Sequence, residues 1–181
     1  MKKIITLLFL SIFFIIGLSA QIYQPVDNGS SVKFIIKNVG MDVDGKFSGL
    51  KGSIRVDPAD LKNSFFTVSI DANTINTEID VRDNNLREAE YLDAKKFSRI
   101  SFVSTQITHN SKTGVFMVKG TITIKGINKD ISFPFNILPK DDGILLTGQF
   151  RLNRNDFKIG LGSLVLSNNL TVVLSVFAKK S

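Results

Sequence analysis

Apolar and polar residues alternate with a period of two along most of this chain. In the clearest segment, residues 130–137, one face is entirely apolar and consists of Ile131, Phe133, Phe135 and Ile137. Because successive side chains of a β-strand point to opposite faces, this spacing predicts sheets with one dry and one solvated face. When most strands carry a dry face, the sheet must close on itself or stack on a second sheet. The chain is therefore predicted to be all-β.

Glycine- and asparagine-rich turn signals separate the alternating segments into about eight antiparallel strands. The spacing becomes helical between residues 80 and 96, where Leu86, Ala89 and Leu92 recur three apart, so we predict one inserted helix there. A shorter helical turn is predicted at Asp57, which precedes a proline. About eight strands is the size at which a closed barrel holds one small ligand. Periodicity favours a single barrel, although a two-sheet sandwich would show the same alternation.

The first twenty residues have the composition of an export signal. Two lysines at positions 2 and 3 precede an apolar run over residues 4–16, and small residues lead up to Ala20. The run is shorter than the ~20 residues of a membrane-spanning helix, so we predict a signal peptide over residues 1–20 that is cleaved after Ala20. An uncleaved membrane anchor is the alternative. After cleavage, the mature domain comprises residues 21–181 and lies in the periplasm or is secreted.

Charge and cysteine content narrow the classes of function. The formal net charge is +7, and the basic residues are scattered rather than gathered in a stripe. Nucleic acid is therefore not an expected partner, whereas a transient contact with a membrane surface is compatible with this charge. The chain has no cysteine, so an exported domain of this kind must rely on a hydrophobic core instead of disulfides. The sequence leaves the oligomeric state open, including a homodimer.

The residues that catalysis or metal binding would require are scarce. His109 is the only histidine and stands beside a turn, so neither a zinc site nor a histidine-based triad can be assembled. Two carboxylate pairs, Glu88 with Glu90 and Asp141 with Asp142, are interpreted as surface charges of the helix and of a turn rather than as acid–base pairs. We predict that the protein is not an enzyme and holds no metal or cofactor.

A dense polar run occupies residues 80–87 on the predicted helix. Asp83 stands four residues before Arg87, which is the favourable orientation for a helical ion pair. One interpretation is a salt-bridged plug that closes an end of the barrel. The other places Arg82 or Arg87 near the entrance, in contact with a polar or anionic head group.

Eight short motifs follow one another along the mature chain: Ser31-Val32-Lys33-Phe34, Asn38-Val39-Gly40-Met41, Gly45-Lys46-Phe47-Ser48-Gly49, Ile75-Asn76-Thr77, Arg82-Asp83-Asn84-Asn85-Leu86-Arg87, Tyr91-Leu92-Asp93, Ile100-Ser101-Phe102 and Thr121-Ile122-Thr123-Ile124-Lys125-Gly126. In order and spacing, the chain from about Tyr23 to Ala178 resembles the YceI-like family of exported polyisoprenoid-binding proteins. Ser98 departs from the pattern, since the family usually has proline there.

The resemblance implies an extended, lipocalin-like barrel of eight antiparallel strands without catalytic residues. Its lumen would hold a long isoprenoid tail, such as that of a quinone or a polyprenyl phosphate. Residues on the apolar faces of the strands and on the helix are accordingly predicted to line the lumen and bind the ligand: Phe34, Ile36, Phe47, Val68, Ile70, Leu86, Leu92, Phe102, Val118, Gly120, Ile122, Phe133, Phe135, Leu146, Gly148, Phe150, Val172 and Leu174. The candidates for contact with the head group are Asn38, Arg82 and Arg87.

We therefore predict an exported protein that binds an isoprenoid lipid for transport or storage. One alternative is a stress-associated periplasmic binding module whose lipid is incidental. Another is a small outer-membrane barrel, although a chain with no Trp and two Tyr lacks the aromatic girdles of that class.

Two glycines, Gly120 and Gly148, lie on the apolar faces of their strands and indicate either a bend in the barrel wall or space kept for a ligand. If they leave space, substitution of either residue by Trp fills the cavity and preserves the fold. If the positions are close-packed, the same substitution strains the barrel.

Overall fold

The structure is a computed structural model that describes residues 21–181. The predicted signal peptide, residues 1–20, lies outside the described residues. The strands are β1 (Tyr23–Pro25), β2 (Ser31–Asn38), β3 (Met41–Arg55), β4 (Phe65–Asn76), β5 (Arg99–Asn110), β6 (Val115–Ile124), β7 (Ile127–Lys140), β8 (Gly143–Asn153) and β9 (Leu166–Lys180). The helix α1 (Asp80–Arg87) follows β4, and 3-10 turns occupy Leu61–Asn63 and Arg154–Phe157. Within residues 21–181, no helix has the length and apolar character needed to cross a membrane.

Eight of these strands form a closed antiparallel barrel. Each strand from β2 to β8 pairs with the next along the chain, and β9 pairs with both β8 and β2. The closing register runs from Ser31 opposite Ser175 to Asn38 opposite Leu166. Because this pairing joins the first and last long strands, the structure is a barrel and not a two-sheet sandwich. The short β1 pairs with β3 and β9 and extends the wall beyond the start of β2.

The two ends of the barrel differ. At the helix end, the chain passes through the β2–β3 turn, α1, the β6–β7 turn and residues 154–165. The opposite end, called the terminus end, carries β1, the last residues of β9, the connection 56–64 between β3 and β4, and the hairpin turns at 111–114 and 141–142. Irregular backbone is therefore concentrated at the helix end.

The predicted alternation is confirmed, and the apolar side chains point inward. On β7, Phe133 and Phe135 are buried, whereas Ser132, Pro134 and Asn136 are exposed. An outer-membrane barrel carries its apolar band on the outside, so this orientation is the reverse of what that alternative requires. Nearer the terminus end, one cluster of buried side chains packs in the interior: Ile54, Phe66, Ile107, Phe116, Val118, Phe133, Phe135, Ile144, Leu146 and Ala178. A second cluster packs nearer the helix end: Ile75, Leu92, Ile122, Ile124, Leu152 and Phe157.

The inserted helix is shorter than predicted. It ends at Arg87; Glu88 is extended, and Asp93 adopts a left-handed conformation with a φ of 49°. Asp83 does not form the predicted ion pair with Arg87, because its buried carboxylate accepts a hydrogen bond from the Thr77 N–H at 2.8 Å. The contact with Thr77, the residue after β4, thus replaces the ion pair that the helical spacing favours.

The helical turn predicted at Asp57 is also displaced. The 3-10 turn begins at Leu61, after Asp57 has accepted a hydrogen bond from the Ala59 N–H at 2.9 Å. The Asp57 side chain therefore closes a tight turn of its own instead of capping a helix. The Ser64 N–H donates to the Leu61 carbonyl and ends the 3-10 turn just before β4.

Gly120 leaves no space for a ligand, contrary to the prediction. A Cβ atom at this position would lie 2.4 Å from the Val103 carbonyl oxygen and 2.7 Å from Cζ of Phe102. Strand β5 shifts register between Ser104 and Gln106, directly opposite this glycine. The glycine is therefore required by the close approach of the two strands and by the Phe102 ring that lies over it.

We expect Gly120→Ala to lower the free energy of unfolding by about 1–3 kcal/mol or more, because the added methyl group overlaps backbone atoms that cannot move independently. Urea denaturation measures the loss. Gly148→Ala is the matched control, since the atom nearest to its Cβ, the Pro134 carbonyl oxygen, is 3.0 Å away. Equal losses for the two variants would contradict this account of Gly120.

Candidate functional site

An elongated apolar cavity runs through the barrel. Its volume is about 280 Å³, and it extends from Pro25 and Val176 near the terminus end to Asn38 and Arg82 at the helix end. Given the rise of a strand, the distance along β2 from Val32 to Asn38 alone is ~20 Å. One water molecule needs only ~10–15 Å³ measured in this way, so the cavity is large enough for an extended apolar chain.

Strands from all sides of the barrel border the cavity. On β9, Leu170, Val172 and Leu174 point into the interior and are only half-buried. Phe102 on β5 is also half-buried, whereas Phe133 on β7 is buried, and both border the cavity. The cavity therefore lies within the ring of strands, between partly accessible and covered side chains.

Aromatic rings form much of the cavity surface. Phe34 and Phe47 contact each other across β2 and β3 with ring centroids 5.7 Å apart. Phe133 stacks on Phe150 at 4.5 Å and lies 5.6 Å from the Phe102 ring. These pairs hold the rings in fixed orientations, so the surface they offer to a ligand is preformed.

All but two of the apolar residues predicted to line the lumen border this cavity: Phe34, Ile36, Phe47, Val68, Ile70, Leu86, Leu92, Phe102, Ile122, Phe133, Phe135, Leu146, Gly148, Phe150, Val172 and Leu174. The exceptions are Val118, which is fully buried in the cluster at the terminus end, and Gly120, which lies in the wall under the Phe102 ring. That the bordering residues bind a ligand stays a prediction.

Sequence reasoning also missed several residues that border the cavity. Ile100, Ile131, Leu170 and Val176 lie on the inward phase of strands already recognised, so the same alternation identifies them. Ile159, in the loop before β9, carries no such periodic signal. Its position depends on how residues 154–165 fold back over the helix end.

Of the three candidates for contact with a head group, Asn38 and Arg82 border the helix end of the cavity, but Arg87 does not border it. The Arg87 guanidinium instead donates to the carbonyl oxygens of Asn73 and Ile75, both at 2.8 Å. These bonds attach α1 to the end of β4. Arg87 is thus a structural anchor of the helix and not a candidate for contact with a head group.

Arg82 is partly engaged by the protein. Its Nε donates to the Thr77 hydroxyl and its Nη2 to the Thr77 carbonyl, each at 2.7 Å, while the same hydroxyl donates to Asp83. Among residues 21–181, no side chain or carbonyl accepts a hydrogen bond from its Nη1. A half-buried guanidinium with a remaining donor at the edge of an apolar cavity is suited to a polar or anionic group of a ligand.

Arg154 is a buried cation that sequence analysis did not identify. Its side chain is 2% exposed and borders the cavity, yet it forms no ion pair within residues 21–181. Its Nε and Nη atoms donate to acceptors in the following segment: the carbonyl oxygens of Ile159, Gly160, Leu166 and Ser167 and the side chain of Asn168. All five N–H groups are therefore used to hold this segment over the helix end.

Two further titratable groups within residues 21–181 have defined surroundings. His109 is exposed and stacks on Phe116, with ring centroids 4.3 Å apart. Hydrogen bonds from the backbone and side chain of Asn73, aided by Arg99 and Lys51, lower the pKa of Asp71 in the bulged part of β4. Within residues 21–181, no three His, Cys, Asp or Glu side chains come together as metal ligands would.

Sequence comparison identifies the family of this chain. Residues 23–178 match the YceI-like domain family. The chain belongs to this family. A UPF0312 protein of Vibrio cholerae is 30% identical to it over 103 residues, which are 56% of this chain and 54% of that protein. The YceI-like chain therefore spans about half the length of the Vibrio relatives that it matches.

Solved structures share the barrel of this YceI-like domain. BcnA of Burkholderia cenocepacia superposes with a TM-score of 0.79 at 20% identity, covering 85% of this chain and 99% of that one. A polyisoprenoid binding domain of Saccharophagus degradans, implicated in plant cell wall breakdown, has a TM-score of 0.71 at 18% identity and covers 88% and 98% of the two chains. These similarities establish a common fold.

We expect Arg154→Met to lower the free energy of unfolding by about 2–4 kcal/mol, because buried carbonyl groups lose their donors. The segment 158–165 should also become the first site of limited proteolysis. Arg154→Lys keeps the charge but cannot supply five donors in a plane, so its loss should be intermediate. A Met variant as stable and as protease-resistant as the wild type would rule out this role.

Proposed function

We propose that this YceI-like domain binds an isoprenoid lipid, with the tail in the cavity and the head group at the helix end. The observation that carries the proposal is the arrangement of side chains around the cavity. Its inward-facing walls are apolar over most of their length, and the inward-facing polar side chains lie together at one end: Asn38, Arg82, Tyr91 and Arg154. An amphipathic lipid with a long tail and a compact head group has the same distribution of polarity.

The family relationship supports this class of ligand. The Saccharophagus degradans neighbour is described as a polyisoprenoid binding domain. In the present chain, the cavity and its aromatic surface lie inside the same barrel. The proposal extends to a binding role without catalysis, since the cavity holds apolar side chains and cations that are engaged with the backbone.

Energetics favour transfer over tight storage. Burial of a CH₂ group from water is worth ~0.8 kcal/mol, but a lipid in a bilayer has already gained that energy. The protein must therefore compete through shape and head-group contacts. We propose that it exchanges its lipid with a membrane outside the cytoplasm, in line with the export signal predicted for residues 1–20.

We expect Val172→Trp to abolish co-purification of an isoprenoid lipid, because the indole occupies the cavity beside the half-buried wall of β9. Native mass spectrometry of the gently purified protein measures the bound lipid. Val173→Trp is the matched control, since Val173 lies on the opposite face of the same strand and does not border the cavity. Equal lipid occupancy in the two variants would refute the proposed site.

We expect Arg82→Gln to weaken binding of a polyprenyl phosphate by ~10-fold, because a charge-assisted hydrogen bond is lost. Binding of a quinone with an isoprenoid tail should change far less. Titration calorimetry in a mild detergent measures both affinities. Arg151→Gln is the control, because Arg151 is exposed on the outer face of β8 and does not border the cavity. A parallel loss for both lipids would show that Arg82 acts on the fold and not on the head group.

A further inference from the structure

We propose that the helix end of the barrel inserts into the surface of a lipid bilayer through an apolar rim around the cavity mouth. The rim is defined by six exposed aliphatic residues on three segments: Val39, Met41, Val81, Leu161, Leu164 and Val165. This inference deepens the proposed function and rests on it, since a tail-binding cavity gives the rim its purpose. The bilayer is the occupant to which the geometry points.

Backbone hydrogen bonds link the segments at the helix end that carry the rim. The Val39 N–H donates to the Val165 carbonyl at 2.9 Å, which joins the β2–β3 turn to the loop before β9. The Gly160 N–H donates to the Glu90 carbonyl at 3.0 Å, which joins that loop to the turn after α1. Leu164 is 100% exposed. Aliphatic side chains with this exposure gain nothing in water and mark an interaction site when they cluster.

The rim surrounds the mouth of the cavity. Asn38, Arg82 and Leu166 border the cavity at the helix end, and each is adjacent in sequence to a rim residue. Leu166 joins the apolar surface of the rim to the cavity lining, and Asn38 and Arg82 lie beside this connection. A tail that leaves a bilayer through this end would reach the apolar lining after a short passage, while its head group stayed beside the polar side chains.

The turn at Val39 is conformationally strained. Val39 and Gly40 have φ values of 51° and 78° and link the paired residues Asn38 and Met41, so they form a two-residue turn with positive φ at both positions. Asn-Gly is the favoured pair in such a turn, and a β-branched residue with positive φ is a genuine outlier. Its side chain is also 68% exposed. The positive φ of valine therefore destabilises the free protein and its exposed side chain gives no compensating burial, whereas contact with an apolar medium would supply that burial.

The loop before β9, which carries three of the six rim residues, favours a bilayer over a polar partner. The chain has no charged residue from Ile159 to Ala178, which includes the whole exposed loop before β9. Charged side chains are what make insertion into hydrocarbon costly. Lys37, beside the rim, is paired with Asp42 at 3.1 Å. Binding should therefore depend on apolar insertion and not on anionic lipids or low salt.

The test is flotation of the mature protein with phosphatidylcholine vesicles that contain no isoprenoid. We expect the wild type to float with the vesicles equally well at low and high salt. Leu164→Asp should reduce the bound fraction by ~10-fold, since an aliphatic tip is replaced by a charge. Leu138→Asp is the matched control, because Leu138 is 50% exposed but lies near the terminus end. It should bind as the wild type does.

Val39→Asn separates membrane contact from folding. Asparagine suits the left-handed conformation, so this variant should melt at a higher temperature than the wild type and yet bind vesicles several-fold more weakly. A stabilised variant with undiminished vesicle binding would count against the rim.

Three results would overturn the proposal. In the first, the wild type does not float with vesicles. In the second, Leu138→Asp weakens binding as much as Leu164→Asp does. In the third, the wild type dimerises through the rim and Leu164→Asp makes it monomeric, but vesicle binding is unaffected. Lipid binding is measured separately, in detergent, by native mass spectrometry. If the protein floats but never takes up an isoprenoid, the membrane-binding role of the rim is supported and the proposed function is refuted. If it takes up the lipid but never floats, the proposed function is supported and the role of the rim is refuted.

Discussion

The pairing of β9 with β2 is the constraint on which the other features of the structure depend. Because of this pairing, neither β2 nor β9 has a free edge along the line where the barrel closes, here called the seam. The inward-facing side chains of all eight strands therefore point into one enclosed volume. Because a slip of one residue would turn a strand's apolar face to solvent, burial of that face fixes the register around the ring. The register shifts between Ile36 and Asn38, beside the cavity mouth. The seam thus both closes the interior and shapes its opening.

The enclosed volume is filled unequally. Toward the terminus end, side chains such as Phe116, Phe135 and Ile144 form a dense cluster. Along β9 the wall remains accessible from inside. A second buried cluster, which includes Leu92 and Phe157, packs nearer the helix end. An unfilled apolar space forgoes dispersion contacts, so the two clusters supply stability that the cavity between them does not. Gly120 belongs to the packed part, since its missing side chain is replaced by backbone and by the Phe102 ring.

Arginines organise the helix end through main-chain carbonyl groups and not through carboxylates. Arg87 holds α1 to β4, Arg82 is bound to Thr77, and Arg154 gathers the loop before β9. Irregular backbone must find hydrogen-bond partners when it is buried, and a guanidinium offers five donors in one plane. The result is an unusual layering, in which cations lie beneath the surface and aliphatic side chains such as Leu164 lie above them.

The relation between sequence and structure is clearest for the strands. A period of two depends only on neighbouring residues, so it predicted the all-β class, the inward phase of Phe34 or Phe133, and thereby most of the cavity lining. The family was also predicted from short motifs in order, and the match over residues 23–178 confirms it.

The features that only the tertiary structure decided depend on partners distant in the chain. Closure as a barrel required the pairing of β2 with β9, and the end of α1 was set by contacts with β4. Val118 and Phe150 both lie on the inward-facing side of their strands, yet only Phe150 borders the cavity. Packing across the barrel decides which of the inward-facing side chains are covered. Arg154 finds its acceptors in a loop whose path no periodicity encodes. Local spacing determines the direction in which a side chain points, and the assembled barrel determines what it meets there.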